Sequence, residues 1–168
     1  MKLIEAKAEF INQWGILGSQ WGINRTMAQV HALLLVASSP LSTDDIMEEL
    51  NISRGNANMN GRELIDWQLV QKTLIAGDRK EYFNAEKDIW KVATRIMQQR
   101  KQRELDPMVA VLSKLTDIEG DKRNADIKAF TETVGNIQKF AGHAEKTLET
   151  IIKAEENWFF SNFMKLIK

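Results

Sequence analysis

The sequence contains no cysteine, and this absence limits the chemistry that the chain can perform. Disulfides, thiolate zinc sites and cysteine nucleophiles are all excluded. The sequence also lacks a Gly-rich phosphate loop, an HExxH-type zinc motif and any recognisable pairing of a nucleophile with a base. The two histidines, His31 and His143, stand far apart, without the spacing of paired metal ligands. We therefore expect no enzyme, no metal site and no cofactor.

Long apolar runs are missing as well. The longest one, residues 32–37, is far shorter than the roughly 20 residues that a helix needs to cross a bilayer. The first ten residues carry two lysines and two glutamates, which the apolar core of a signal peptide does not tolerate. We therefore expect a soluble, cytoplasmic protein that does not enter a membrane.

The chain has no net charge, because 23 Lys and Arg balance 23 Asp and Glu. Its total charge therefore does not indicate a nucleic-acid partner. The distribution is uneven, since acids crowd residues 44–49 while the basic stretch 95–103 contains none. Segregated charge permits a local basic surface, although a solvated helix face explains any single run equally well.

Prolines and glycines are few, at two and nine, so helices are expected to dominate. We predict the first helices over residues 2–18, 25–38, 43–50 and 53–67. Gly15, Gly18 and Gly22 are expected to end the first of them. Ser42 is predicted to cap the third helix in a capping box with Asp45. Residues 51–52 then form a tight turn, and Ser53 caps the fourth helix.

The pattern changes after Trp67. Residues 69–75 and 80–84 have strand composition and flank a turn at Gly77, which predicts a β-hairpin. Helices resume near residue 85. Asp106 and Pro107 predict a break or kink, and further helices are predicted to about residue 118 and over 122–165.

This order of elements predicts a mainly α fold with a small β-hairpin, a winged helix-turn-helix. We assign residues 1–22 to an N-terminal helix within the dimerisation region. Residues 23–85 form the winged helix-turn-helix, and residues 86–168 form a C-terminal helical dimerisation region.

Residues 53–62 have the composition of a helix that reads DNA. They include two arginines, three asparagines and no acid. Asparagine is a poor helix former, and bidentate bonding to adenine or contact with phosphate would explain three of them here. A solvated, marginal surface helix is the alternative. The acids of the preceding helix are expected to project outward, which a scaffold helix that does not approach phosphate can tolerate.

Four stretches of the chain carry a family resemblance: residues 22–29, 53–56, 62–67 and 77–83. They resemble the GbsR-type branch of the MarR superfamily, and the likeness extends from about residue 10 to 103. The resemblance implies a homodimeric winged-helix repressor from bacteria or archaea, and some members of the group respond to choline. Two positions depart from the pattern: Gly61 replaces a larger apolar residue, and Gln68 replaces the glycine that precedes the first wing strand.

The wing completes the predicted site. Gly77 permits positive φ at its turn, and Asp78 is expected to support one of the cations Arg79 and Lys80. MarR-like proteins place an arginine of the wing toward the minor groove, although a plain charged hairpin tip has the same composition. The predicted DNA-binding residues are Ser53, Arg54, Asn56, Asn58, Met59, Arg62, Lys72, Arg79 and Lys80.

The last predicted helix carries a heptad seam that needs a partner surface. Its members are Phe130, Val134, Ile137, Ala141, Ala144, Leu148 and Ile151. The seam could pack on the chain's own helices or on a second chain. We favour a homodimer, because DNA half-sites require two-fold symmetry. An aromatic terminus follows, with Trp158, Phe159, Phe160, Phe163, Leu166 and Ile167.

Two questions stay open at this point. Five tryptophans could cage a quaternary ammonium effector resembling choline, although core packing also explains them. A winged helix can also serve as a protein–protein adaptor, and residues 51–84 carry five basic against four acidic side chains. We predict a sequence-specific DNA-binding regulator, a repressor that reads the major groove with residues 53–67, and keep the adaptor as the alternative.

Overall fold

The computed structural model describes residues 1–115, 118–121 and 123–156. The chain divides into two compact units, Met1–Val92 and Ala93–Lys168. The first unit contains α1 (Leu3–Gln20), α2 (Arg25–Val36), β1 (Leu41–Ser42), α3 (Thr43–Leu50), α4 (Arg54–Asp66), β2 (Val70–Thr73) and β3 (Tyr82–Ala85). The unit boundary falls within α5 (Ile89–Arg100), and a π-helical turn (Lys101–Leu105), α6 (Asp106–Lys114) and α7 (Ala125–Glu156) follow.

The first unit has the predicted winged-helix fold, mainly α with a small antiparallel sheet. The sheet has three strands in the order β1-β3-β2, one more than the predicted hairpin. The additional strand, β1, pairs Leu41 with Phe83 and Ser42 with Tyr82. Because it is two residues long, it leaves no alternation in the sequence by which to find it. It leads directly into α3.

The crossing of α1 and α2 corrects the expected end of α1. Gly15 and Gly18 are buried inside the helix and do not end it. A Cβ atom on Gly18 would lie 2.6 Å from the Cβ of Ala28, so the glycine lets α2 approach closely. The helix continues to Gln20, and Gly22, with φ 76°, follows it.

The helix-turn-helix forms with the predicted caps. Ser42 and Asp45 make a reciprocal capping box at the start of α3. Asn51 adopts the left-handed conformation at the end of α3, with φ 51°. Ser53 then caps α4 by accepting a hydrogen bond from the Asn56 N–H at 3.3 Å. These short-range interactions fix the turn between the two helices.

The two departures from the family pattern are local adjustments. A Cβ on Gly61 would lie 3.1 Å from Cε1 of Phe83, a buried ring of β3, so the ring occupies the space next to this position. Gln68 follows α4 with φ 60°, a conformation that glycine adopts at lower cost.

In the second unit, the helix does not break completely at Pro107. The π-helical turn joins α5 to α6, and Pro107 lies in the first turn of α6, where a missing N–H costs little. The unit's core consists of Leu112, Val134 and Ala141, with Leu105 and Val109 partly buried against them.

The last helix starts at Ala125, three residues later than predicted, and is described as far as Glu156. The predicted aromatic terminus lies outside the described residues. No helix within the described ranges is both long and apolar enough to span a membrane.

Candidate nucleic-acid interface

The burial of its residues defines the orientation of α4. Ala57, Gly61 and Leu64 face the core of the first unit. Arg54, Met59 and Arg62 are exposed, and Met59 keeps 56% of its surface accessible. The helix therefore presents two arginines and one flexible apolar side chain to solvent.

The asparagines of α4 have roles within the protein that the sequence argument missed. Asn60 is buried, and its amide donates to the Asn56 carbonyl at 2.8 Å and to the Asn56 Oδ1 at 2.7 Å. Asn58 is half-buried, and its Oδ1 accepts from the Thr43 hydroxyl at 3.1 Å. Local hydrogen bonds thus explain part of the asparagine content of α4 without a contact with DNA.

The side-chain amino groups of Asn56 and Asn58 make no hydrogen bond within the described ranges. Each can donate to a base or a phosphate while its oxygen stays bonded inside the protein. Ser53 is similar, because its hydroxyl oxygen accepts the capping bond from the Asn56 N–H while its O–H can still donate.

Asp44, in the first turn of α3, contacts two of the predicted DNA-binding residues. Its carboxylate forms a short ion pair with Arg54 and a second one, of 3.2 Å, with Lys80. The hydrogen bond from Lys80, together with the charge of Arg54, lowers the pKa of this carboxyl. Asp44 is part-exposed, as expected for the acids of α3, and its carboxylate also bonds two residues that we predict to contact DNA.

The turn of the wing is held by Asp78, although not as predicted. Its Oδ1 accepts from the backbone N–H of Lys80 at 2.9 Å, and its Oδ2 accepts from the Tyr82 hydroxyl at 2.7 Å. These bonds lower the pKa of Asp78 and raise that of Tyr82. Asp78 therefore holds the backbone of the wing turn and the Tyr82 side chain, whereas the Lys80 side chain pairs with Asp44.

The remaining basic residues fall into two groups. Lys72, on β2, forms a short ion pair with Glu81, which reduces the charge that it offers to DNA. Arg62 and Arg79 are exposed and form no ion pair within the described part of the chain. The structure therefore brings Arg54 and Lys80 together at Asp44 and leaves Arg62 and Arg79 as uncompensated cations.

The tryptophans have varied surroundings. The Trp14 ring lies 5.4 Å from the Phe10 ring and 6.1 Å from the His31 ring, between centroids. Trp67 is buried, whereas Trp21 and Trp90 are more than half exposed. Trp158 lies outside the described residues. The predicted effector site stays untested by this arrangement.

Comparison with known proteins finds similarity to a transcriptional repressor in sequence and to a transcriptional regulator in structure. No protein-family model matches the chain. Over 92 residues, 55% of the chain, it is 28% identical to the HTH-type transcriptional repressor GbsR of Bacillus subtilis (strain 168). The match covers 51% of that repressor, so the chain spans about half the length of the curated relative that it matches.

The structural neighbour is a solved structure described as a transcriptional regulator. It superimposes with a TM-score of 0.58 over 86% of this chain and 99% of its own, at 19% sequence identity. A likeness at this level of identity supports the winged-helix fold.

Proposed function

We propose that the chain is a sequence-specific, DNA-binding transcriptional regulator of the GbsR type within the MarR superfamily, acting as a repressor. The observation that carries the proposal is the exposure of Arg54, Arg62, Arg79 and Lys80 on the two elements that a winged helix directs to DNA. The similarity to the GbsR repressor supports it.

The two elements are suited to different parts of the duplex. A helix of the size of α4 fits the major groove, where Arg54 or Arg62 can bind guanine through two hydrogen bonds. The free amino group of Asn58 and the exposed Met59 side chain can contact base edges and thymine methyl groups. Arg79 and Lys80 lie in the wing, which leans over the backbone and contacts phosphate.

The heptad seam of α7 supports the proposed homodimer. Val134 and Ala141, one heptad apart, are buried within their own unit. Three of the four members of the other heptad position, Phe130, Ile137 and Ile151, are exposed, whereas Ala144 is half-buried. Phe140, next to Ile137 on the helix surface, is 74% exposed. One set of positions thus packs internally, and a second copy of the chain would cover the other.

A binding experiment with matched variants tests the DNA-binding proposal. Wild-type protein is titrated with a duplex selected from a random library and with a scrambled duplex, at several salt concentrations. We expect log K to fall against log salt with a slope of about −5, for about six phosphate contacts. Replacing Arg54 or Asn58 with alanine is expected to cost about 1–3 kcal/mol on the selected duplex only.

Alanine at Arg79 or Lys80 is expected to weaken binding to both duplexes and to flatten the slope by about one unit per lost contact. Arg123→Ala is the matched control, since Arg123 is an exposed arginine of the second unit. A flat salt response, with no preference among duplexes, contradicts the proposal and favours the adaptor.

Sedimentation tests the dimer. Ile137→Glu and Phe140→Glu place a charge on the exposed side of α7, and we expect both to produce monomers at micromolar concentration. Lys139→Glu, at an exposed position between them, is the control. Val134 is unsuitable, because a charge there disrupts the unit's own core. A wild-type protein that sediments as a monomer contradicts the dimer.

Choline or a related quaternary ammonium compound stays the effector that we propose. Aromatic side chains bind such cations through their π faces. A choline titration that leaves both tryptophan fluorescence and DNA affinity unchanged would contradict this part of the proposal.

A further inference from the structure

Asp44 holds two cations that belong to different elements of the candidate interface. One carboxylate oxygen bonds to Nη2 of Arg54, at the start of α4, and the other lies 3.2 Å from Nζ of Lys80, in the wing. Asp44 therefore links the helix that reads the groove to the hairpin that contacts the backbone. Within the described ranges, no other acid forms an ion pair with either cation.

We propose that Asp44 is a positioning residue for DNA recognition, one that raises the affinity for the cognate site relative to other DNA by orienting Arg54. The inference rests on the proposed DNA-binding function. Under this proposal, an acidic residue of the scaffold helix increases specificity, although its negative charge by itself repels DNA.

The geometry of the ion pair leaves Arg54 able to bind a base. A guanidinium group has five N–H donors, and the recorded bond to Asp44 uses Nη2. The other nitrogens of Arg54 have no hydrogen bond within the described residues, so one edge of the group stays free for a guanine. Fixing one side of a long side chain reduces the conformational freedom that is lost when the other side binds.

Contacts with bases and contacts with phosphates respond differently to this restraint. A bidentate contact with a base needs a fixed orientation, so Arg54 held by Asp44 is better prepared for it. A phosphate contact accepts many orientations of the cation and gains little from the restraint. Non-cognate binding depends on phosphate contacts, and there the negative charge of Asp44 only repels the DNA.

Asp44 is charged at neutral pH and accessible to DNA. The hydrogen bond from Lys80 keeps its pKa low, and its side chain is 41% exposed. An exposed ion pair is weak and screened by salt, so the pair with Lys80 can open when the wing reaches a phosphate. The two effects of Asp44, favourable on the cognate site and unfavourable elsewhere, both increase discrimination.

Asp44→Asn tests the inference, because it removes the charge and keeps the shape. Binding of the full chain is measured to a random-sequence duplex and to the duplex selected by the wild-type protein. We expect the random duplex to bind about 3-fold more tightly at low salt. We expect the selected duplex to bind about 3-fold more weakly, so that the ratio of affinities falls about 10-fold. A loss of folding would weaken both, so opposite changes identify positioning.

Glu48→Gln is the matched control, since Glu48 is an exposed acid one turn further along α3. It is expected to shift both affinities in the same direction and to leave their ratio unchanged. In an Arg54→Ala background, Asp44→Asn should no longer weaken binding to the selected duplex.

Three results overturn the inference. They are an unchanged ratio in Asp44→Asn, the same change in Glu48→Gln, and a loss on the selected duplex that persists without Arg54. If the wild-type protein binds the selected duplex and the variants give any of these results, the inference fails but the proposed function stands. A wild-type protein that binds no duplex overturns the function and the inference together.

Discussion

The two units of the chain differ in how far they bury their own apolar side chains. Of the buried apolar side chains among the described residues, only Leu112, Val134 and Ala141 belong to the second unit. The first unit buries most of α2, and each of α3, α4, β2 and β3 also contributes at least one buried apolar residue. In the second unit, α6 and α7 expose large apolar side chains, among them Val111 and Phe140.

This difference shows where each unit's stability comes from. The first unit has a closed core, and its exposed face carries the charged candidate interface. Among the described residues, the second unit has a small core and exposes several large apolar side chains, a pattern that is common where a protein binds another chain.

Two phenylalanines give the largest contrast. Phe83 is fully buried in the first unit, so Phe83→Ala should lower the free energy of unfolding by about 3–5 kcal/mol. Phe140 is exposed in the second unit, so Phe140→Ala should change the stability of the protomer by less than about 1 kcal/mol. Urea unfolding followed by circular dichroism measures both. Equal losses would mean that the second unit is packed as tightly as the first.

The two histidines extend the contrast to pH. Burial, with a smaller contribution from the charge of Lys87, lowers the pKa of His31 from 6.5 to about 4. The unfolded chain therefore binds a proton that the folded chain does not, and the stability falls as the pH drops from 6.5 towards 4. The expected loss over this window is about 3 kcal/mol.

His31→Gln should remove this pH dependence, whereas His143→Gln, at an exposed position of the second unit, should keep it. Unfolding free energies at pH 7 and pH 4.5 for the three proteins give the comparison. The same slope in wild type and His31→Gln would contradict the burial of a neutral imidazole.

The second unit depends partly on an ion-pair cluster. Lys101, whose side chain is 13% exposed, lies 2.9 Å from Asp106, 3.0 Å from Glu145 and 3.6 Å from Glu149. Lys101→Met removes the common partner of three carboxylates, and we expect it to destabilise the protein by about 1–2 kcal/mol. Lys139→Met, at an exposed position of α7, is the control. Indistinguishable melting curves for the two variants would exclude a stabilising role for the cluster.

The sequence predicted well the features that depend on near neighbours. The caps at Ser42 and Ser53 and the buried stripe of α4 follow from spacings of three and four residues. The contacts of Asp44 with Arg54 and Lys80 join residues that are distant in sequence, so no local pattern reveals them. For the same reason the sequence predicts a helix end near Gly18, where the structure has a close contact between α1 and α2.

The heptad seam shows a different limit. Internal packing and pairing with a second chain produce the same apolar spacing, so the sequence left both open. The structure shows Val134 and Ala141 packed internally, while Ile137 stays exposed. Only the packing of α7 against its own unit separates the two uses.

Mid-helix glycines provide the smallest contrast. A Cβ on Gly142 of α7 would have no neighbour within 4 Å, so Gly142→Ala should stabilise the protein by about 0.5–1 kcal/mol. A Cβ on Gly61 meets Phe83 at 3.1 Å, so Gly61→Ala should lose this gain. Thermal unfolding compares them. Destabilisation by Gly142→Ala would show that this part of α7 is already covered.

Lysine footprinting tests most directly the claim that DNA binds at the interface on the first unit. The full chain is acetylated with and without the selected duplex, and the modification of each lysine is followed by mass spectrometry. We expect the duplex to slow acetylation of Lys80, and to a lesser extent Lys72, several-fold. Lys139 and Lys146, exposed in the second unit, should react at unchanged rates. Protection of Lys139 and Lys146 without protection of Lys80 would contradict the account.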